Sequence, residues 1–135
     1  ETIQVNNNGK HSRDFTYIDD IVEGILLVFE QPPSTNSNYN SDIPEANTSS
    51  APWRIYNIGN NEPIKLMDYI IAIEQELGIE AKKAFAELQP GDVPDTFADV
   101  NDLVREFNYK PNTSVKDGVS KFVSWYKDFH CKSEE

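Results

Sequence analysis

The segment Arg-Asp-Phe-Thr-Tyr-Ile-Asp-Asp, residues 13–20, decides how the fold is interpreted. Residues 15–18 are rich in side chains that favour strands, and they lead directly into an apolar segment with helical spacing. The pattern predicts a strand over residues 15–18 and a helix over about residues 20–30. The apolar positions of this helix predict a wide face that packs on a sheet. They are Ile21, Val22, Ile25, Leu26, Val28 and Phe29.

Two adjacent aspartates at this junction predict how the helix starts. Asp19 or Asp20 can accept hydrogen bonds from the free amides of the first turn, and Glu23, three residues after Asp20, completes a capping-box pattern. Adjacent carboxylates at such a junction point in different directions. A capping role is therefore favoured over a pair of catalytic carboxylates.

Short strands are predicted at three other places in the chain. Residues 2–5 alternate like a strand, and because the chain begins at Glu1 with no turn before them, we expect it to start within a fold. Residues 54–58 form a compact β-like run that ends at a turn over residues 59–61. Residues 83–88 predict a further short strand.

Helices alternate with these strands. Residues 64–77 have helical spacing and end at Gly78, and a short helix around residues 103–107 is broken near Pro111. Ser114 can cap a last helix. Its predicted buried stripe consists of Val115, Val119, Phe122, Val123, Tyr126 and Phe129. The alternation predicts an α/β chain with few short strands, about four helices and an incomplete sheet.

Residues 31–52 interrupt this alternation. They contain many Pro, Ser and Asn residues and almost no hydrophobic periodicity. This composition predicts a long, flexible surface insertion. A loop of that length is either functional or an unordered excursion, and the lack of clustered charges or aromatic residues favours the excursion.

The chain is acidic, with 23 Asp and Glu residues against 12 Lys and Arg residues and a net charge of −11. A nucleic-acid surface needs a dense basic patch, so no nucleic-acid partner is expected. No apolar run reaches the length of a membrane span, and the single cysteine, Cys131, precludes an internal disulfide. These features predict a cytoplasmic protein without membrane contact.

The sequence has no pattern that would hold a dinucleotide. Its six glycines are scattered, and no tyrosine is followed four residues later by lysine, the pair that provides a base in short-chain dehydrogenases. We therefore expect no catalytic residue and no bound cofactor in this chain alone. His11, His130 and Cys131 lack the close ligand spacings that predict a metal site. For His11, beside Arg13, a solvated loop histidine is favoured over a residue that helps to bind a phosphate.

Several motifs occur in a consistent order along the chain. They are GK at 9–10, RDFTYIDDIVEGI at 13–25, YNIGN at 56–60, LMD at 66–68, and QPGDVP at 89–94 followed by Thr96, Ala98 and Asp99. Together they resemble the carboxy-terminal part of the nucleotide-sugar epimerases of the extended short-chain dehydrogenase/reductase class, and in particular the UDP-glucuronate 4-epimerases. The resemblance covers nearly all residues outside 31–52. It implies that residues 1–135 are the UDP-sugar-binding part of a Rossmann-type epimerase, together with the terminal elements of its sheet.

The resemblance also implies two residues that contact the nucleotide. Arg13 would bind the diphosphate, a role suited to a planar guanidinium with forked donors, and the alternative is an ion pair with Asp14 or Asp20. Asp92 would accept hydrogen bonds from the ribose hydroxyls, with Gly91 allowing close approach of the backbone. The alternative for Asp92 is a plain turn aspartate.

Two further residues of the same loop belong to the implied substrate site. Gln89 lies where galactose-type epimerases carry a second phosphate-binding arginine, and its neutral amide can donate hydrogen bonds but cannot neutralise charge. Diphosphate binding is then weaker unless another arginine substitutes. Thr96 would face the nucleotide, with a packing or turn role as the alternative.

The intact enzyme implied by this resemblance is a homodimer in which NAD takes a hydride from the sugar C4 and returns it to the opposite face. The present chain is expected to carry the UDP-sugar-binding role and to be inactive alone. Two alternatives stay open. One is a fragment of a sugar-nucleotide dehydratase or decarboxylase, and the other is an acidic, non-catalytic interaction module that docks a partner through the aromatic residues of its last helix.

Overall fold

The computed structural model describes residues 1–131, in which four short strands form two separate two-stranded sheets. β1 (Thr2–Val5) pairs in parallel with β4 (Lys82–Phe85), and the first residues of both strands lie opposite each other. β2 (Ser12–Arg13) pairs in antiparallel fashion with β3 (Ile64–Lys65). The predicted α/β class with few short strands and an incomplete sheet is confirmed.

The same residues contain four α-helices: α1 (Ile18–Glu30), α2 (Leu66–Leu77), α3 (Asn101–Phe107) and α4 (Val115–Cys131). α2 packs along α4, and α1 contacts α3. The sequence predicted a helix in each of these regions. Gly78 ends α2 in the left-handed conformation, with φ of 69°, as its position predicted.

The first turn of α1 differs from the prediction. The helix already begins at Ile18, residues 15–18 form no strand, and the N-cap residue makes no side-chain capping bond. Asp20 is 4% exposed and accepts hydrogen bonds from the backbone N–H groups of Thr113 at 3.2 Å and Asn112 at 3.5 Å. The predicted capping box is wrong, because the Asp20 carboxylate instead ties the start of α1 to the segment that leads into α4.

The predicted packing of α1 on a sheet is not seen among residues 1–131. Four of its apolar side chains are between 45% and 82% exposed: Val22, Ile25, Leu26 and Phe29. The side of α1 that packs inward carries Gly24, where an added β-carbon would lie 3.3 Å from atoms of both Ile58 and Tyr109. Hydrophobic spacing identifies a helix, but tertiary contacts decide which of its sides is covered.

Residues 54–58 do not form the predicted strand. Arg54 makes a single bridge with Thr48, and residues 55–58 continue without a strand partner. A β-prone run needs a neighbouring strand to complete its hydrogen-bond ladder, and none lies beside this segment in the described part of the chain. The strand predicted at residues 83–88 forms as β4, which starts one residue earlier and ends sooner.

The core is small and centres on α3 and the loops on either side of it. Its fully buried side chains are Val5, Val100, Leu103 and Tyr109. α4 contributes Val119 and Val123, which are 5% and 4% exposed. The start of α4 is capped as predicted, since Ser114 Oγ accepts the Asp117 backbone N–H at 3.1 Å.

The aromatic half of the stripe predicted on α4 is not buried. Phe122, Tyr126 and Phe129 are between 47% and 61% exposed. α4 therefore meets the rest of the molecule through a narrower strip than its apolar pattern predicted.

Residues 31–52 cross the surface in turns and form no helix or strand beyond the single bridge at Thr48. Their later part is anchored, because Thr48 is 6% exposed and Asn47 Nδ2 donates to Asp102 Oδ2 at 2.7 Å. The flexibility of the insertion stays a prediction. None of the helices within residues 1–131 combines the length and apolar character needed to cross a bilayer.

We expect Asp20→Asn to lower the free energy of unfolding by about 1–3 kcal/mol, because the new amide group turns an N–H toward a backbone N–H that has lost its acceptor. Asp19→Asn is the matched control, since Asp19 is 69% exposed and lies 3.8 Å from Lys121. Urea denaturation of both variants measures the difference. Equal stability of the two variants would contradict the anchoring role of Asp20.

Candidate functional site

Arg13 connects β2 to the loop at residues 89–95. Its Nη1 donates to the carbonyls of Ser12 and Pro94 at 2.7 Å each, and its Nη2 donates to the carbonyl of Val93 at 2.9 Å. The Ser12 backbone N–H also donates to the Pro94 carbonyl, at 3.0 Å. The guanidinium is therefore oriented by backbone carbonyls while 30% of the Arg13 side chain is exposed.

Asp92 lies beside this guanidinium, although it is 79 residues away in sequence. Arg13 Nη2 is 3.4 Å from Asp92 Oδ1, and 31% of the Asp92 side chain is exposed. Arg13 thus pairs with Asp92, and not with Asp14 or Asp20 as the alternative interpretation expected. The fold brings together the two residues that the motif resemblance assigns to the nucleotide.

The turn that carries Asp92 depends on the glycine before it. Gly91 has φ of +85°, and an added β-carbon would meet nothing within 4 Å, so the backbone angle requires glycine here. The Asp92 N–H donates to the Gln89 carbonyl at 3.1 Å, and Asp92 Oδ1 accepts the Val93 N–H at 2.9 Å. Asp92 therefore stabilises the turn, as the alternative role of a plain turn aspartate predicted. Its carboxylate also faces Arg13.

His11 is buried next to Asp92. It is 7% exposed, and its Nε2 lies 3.2 Å from Asp92 Oδ2, although the two atoms are not aligned as a hydrogen bond. The prediction of a solvated loop histidine is wrong. The His11 carbonyl accepts the Leu66 N–H at 2.8 Å, which holds the backbone of His11 against the start of α2.

An open cleft of about 550 Å³ has Arg13 in its wall. The other walls come from residues 56–59 and 96–99, so Thr96 lines the cleft as well. Gln89 has an exposed side chain at the start of the loop and does not line the cleft. Of the four predicted ligand residues, Arg13 and Thr96 are on the cleft wall, Asp92 is in contact with Arg13, and Gln89 contributes its carbonyl to the turn.

Asp14 joins two walls of the cleft. Its carboxylate accepts backbone N–H groups from Asn60 and Asn61 at 3.0 Å each and from Ala98 at 3.1 Å. An added β-carbon at Gly59 would lie 2.7 Å from Asp14 Oδ2. This role of Asp14 was not predicted, although the Gly-Asn-Asn turn at residues 59–61 was a signal for it, because its successive amides suit an anion.

Tyr56, in the cleft wall, stays protonated near neutral pH. Its burial, and then its hydrogen bond to the Glu106 carboxylate, raise the pKa of Tyr56 to about 12. Arg54 Nη2 pairs with Glu106 at 2.7 Å and with Asp102 at 3.0 Å, and Arg105 pairs with the same two carboxylates. Both arginines are thus held by acidic residues of α3.

No group of three or more metal-binding side chains occurs among residues 1–131. One guanidinium, one carboxylate and polar side chains lie around the open cleft, and such groups can form hydrogen bonds with anions and hydroxyls.

The sequence matches the protein-family model described as GDP-mannose 4,6 dehydratase over residues 1–122. The chain belongs to this family. Protein CapI of Staphylococcus aureus is 48% identical over 132 residues, which are 98% of this chain and 40% of CapI. A probable UDP-glucuronate 4-epimerase of Rhizobium meliloti is 40% identical over 128 residues, which are 92% of this chain and 37% of the relative. The chain thus spans about two fifths of the length of these family members.

A solved structure from the same group of enzymes has a similar fold. The UDP-glucuronic acid 4-epimerase of Bacillus cereus, in complex with UDP-glucuronic acid and NAD, superposes with a TM-score of 0.71 at 25% identity. The superposition covers 96% of this chain and 36% of that enzyme. The resemblance to the extended short-chain dehydrogenase/reductase epimerases is therefore confirmed, and so is the Rossmann-type relationship of the fold.

We expect Asp14→Asn to loosen the cleft, because one carboxylate oxygen is lost from a cluster of three amide donors. Amide hydrogen exchange should become faster at Asn60, Asn61 and Ala98, with a loss of about 1–3 kcal/mol in unfolding free energy. Asp95→Asn is the control, since Asp95 Oδ1 accepts a hydrogen bond from Ser12 Oγ at 2.6 Å and contacts none of these amides. Unchanged exchange at the three amides in the Asp14 variant would refute the role.

Proposed function

We propose that this chain is the UDP-sugar-binding part of an NAD-dependent nucleotide-sugar epimerase of the UDP-glucuronate 4-epimerase type. The main support is the approach of Arg13 to Asp92, 3.4 Å apart beside an open cleft and 79 residues apart in sequence. A guanidinium and a carboxylate in this arrangement suit a ligand that presents phosphate oxygens and sugar hydroxyls side by side.

Arg13 binds the diphosphate in this proposal. Both of its terminal nitrogens already donate to backbone carbonyls, at 2.7 to 2.9 Å, and these bonds set the plane of the guanidinium. The 3.4 Å contact to Asp92 is the longest of its polar contacts. A phosphate oxygen can therefore replace Asp92 at Nη2 without disturbing the bonds that orient Arg13.

Asp92 accepts a ribose hydroxyl, and the neighbouring loop residues complete the contact. Thr96 reaches the nucleotide from the cleft wall, and Gln89 can donate from its exposed amide after a change of rotamer. Because Arg54 and Arg105 are paired with carboxylates of α3, a single arginine carries the diphosphate charge here. Affinity for a UDP-sugar is accordingly modest.

The residues of this chain do not fit NAD. In the epimerases that the chain resembles, NAD accepts and returns a hydride at the sugar C4. A glycine-rich loop is absent from the sequence, and the pKa values of Tyr56 and Tyr109 are both raised to about 12, mainly by burial, so neither phenol acts as a base near neutral pH. We assign no step of the redox cycle to these residues.

A sugar-nucleotide dehydratase is the second candidate, and the description of the matching family model favours it. Dehydratases and decarboxylases share the fold with the epimerases and differ mainly at catalytic positions that this chain does not contain. The names of the relatives and the Gln-Pro-Gly-Asp-Val-Pro motif at residues 89–94 support the epimerase.

The binding role is tested with Arg13→Ala and isothermal titration of UDP-glucuronate. We expect affinity to fall about 10- to 100-fold, since a hydrogen-bonded ion pair of about 1.5–3 kcal/mol is lost. Arg105→Ala is the matched control, because Arg105 is 62% exposed on α3 and leaves Arg13 untouched. An equal effect of both substitutions, or no binding by the unmodified chain, would refute the site and favour an interaction module.

The chain alone should not interconvert UDP-glucuronate and its C4 epimer, because it provides neither the dinucleotide loop nor a base. The measurement is overnight incubation of the purified 135-residue chain with NAD and UDP-glucuronate, followed by chromatographic separation of the epimers. A full-length homologue is the positive control. Turnover by the chain that disappears on boiling would overturn this part of the proposal.

A further inference from the structure

His11 places a buried imidazole against the carboxylate proposed to bind ribose. Its side chain is 7% exposed, and Nε2 lies 3.2 Å from Asp92 Oδ2. This nitrogen has no aligned hydrogen-bond partner within residues 1–131. Buried polar atoms are normally paired, and Asp92 Oδ2 is the acceptor within reach of this nitrogen.

Asp92 contacts two basic side chains, one at each carboxylate oxygen. Oδ1 is 3.4 Å from Arg13 Nη2, and Oδ2 faces His11. Arginine is always charged, whereas histidine gains and loses its proton between about pH 5 and 8. The positive charge of Arg13 beside Asp92 is therefore permanent, whereas a charge on His11 depends on protonation.

We propose that His11 is a positioning residue that holds Asp92 when a nucleoside diphosphate sugar occupies Arg13, so that ligand binding is coupled to proton uptake at His11. The inference rests on the proposed assignment of Arg13 to the diphosphate. It assigns a role to a residue that lies outside the motifs of the family resemblance.

The coupling follows from competition for one carboxylate. When a phosphate oxygen takes the place of Asp92 at Nη2, Asp92 loses a cation and gains an anionic neighbour. Both changes favour a protonated imidazole at Oδ2, where a small rotation aligns the existing 3.2 Å contact as a charge-assisted hydrogen bond. Oδ1 is then released from Arg13 to accept the ribose hydroxyl.

Two other charged side chains lie near Ser12, and neither takes the place of His11 beside Asp92. Asp95 accepts a hydrogen bond from Ser12 Oγ at 2.6 Å, and Lys65 lies opposite Ser12 in the β2–β3 pair. Neither side chain forms an ion pair or hydrogen bond with Asp92 among residues 1–131.

The direction of the pH effect follows from linkage. If binding drives proton uptake, then protons strengthen binding by the same factor. Affinity for a UDP-sugar should therefore rise as the pH falls through the range in which histidine titrates, and it should be weakest where His11 is neutral.

The test is isothermal titration of UDP-glucuronate into the 135-residue chain at pH 6 and pH 8. UDP-glucuronate is preferred to UDP because it has no phosphate monoester, whose second ionisation near pH 6 would add its own pH dependence. At pH 7 the titration is repeated in two buffers that differ in ionisation enthalpy, which reports proton uptake directly and needs no variant.

His11→Gln removes the titrating group and keeps a neutral donor at a similar position. His130→Gln is the matched control, because His130 is the other of the two histidines and is exposed on α4. We expect about tenfold tighter binding at pH 6 than at pH 8 for the unmodified chain and for the His130 variant, together with net proton uptake. The His11 variant should bind with nearly equal affinity at both pH values.

Two other outcomes are distinguishable. Binding that depends on Arg13 but shows no proton uptake, or keeps its pH dependence in His11→Gln, would overturn the role of His11 and leave the proposed function standing. Binding that is absent, or is insensitive to Arg13→Ala, would overturn the proposed function and this inference with it. Should His11→Gln fail to fold, the two-buffer measurement on the unmodified chain still decides, because the absence of proton uptake refutes the coupling.

Discussion

The carboxylate of Asp14 holds the candidate site together. It collects three backbone N–H groups from segments that are 46 and 84 residues away in sequence, and so fixes two walls of one cleft. Gly59 is part of the same contact, because any β-carbon there would collide with Asp14 and with Ala98. Arg13 directly precedes Asp14 in the chain, so the position of the guanidinium depends on this anchor as well.

Positive charge is scarce in this acidic chain, and its placement separates Arg13 from the two other arginines. Arg54 and Arg105 pair with carboxylates of α3 at 2.5 to 3.0 Å. The hydrogen bond from Arg105 holds the pKa of Asp102 below its usual range, which keeps that carboxylate ionised and the cluster intact. Arg13 has the longest ion pair of the three arginines, at 3.4 Å, and its partner can be exchanged for another anion.

Features that depend on neighbours in the chain were predictable. The end of α2 at Gly78 and the Ser114 cap of α4 follow from local backbone geometry and from one short side chain. Predictions failed where a residue's environment is set by distant segments. Asp20 was interpreted as a cap but accepts amides 92 and 93 residues away, and the aromatic residues of α4 were interpreted as core but are exposed.

The sequence by itself determined the family and the helical segments, because both follow from the order and spacing of residues along the chain. It also identified four candidate ligand residues: Arg13, Gln89, Asp92 and Thr96. The tertiary structure alone decided that Asp92 meets Arg13, that His11 is buried against the same carboxylate, and that Gln89 lies off the cleft wall. The physical reason is that residues about 80 positions apart become neighbours through the backbone of Ser12 and the side-chain carboxylate of Asp14. No periodicity or spacing in the chain reports such contacts.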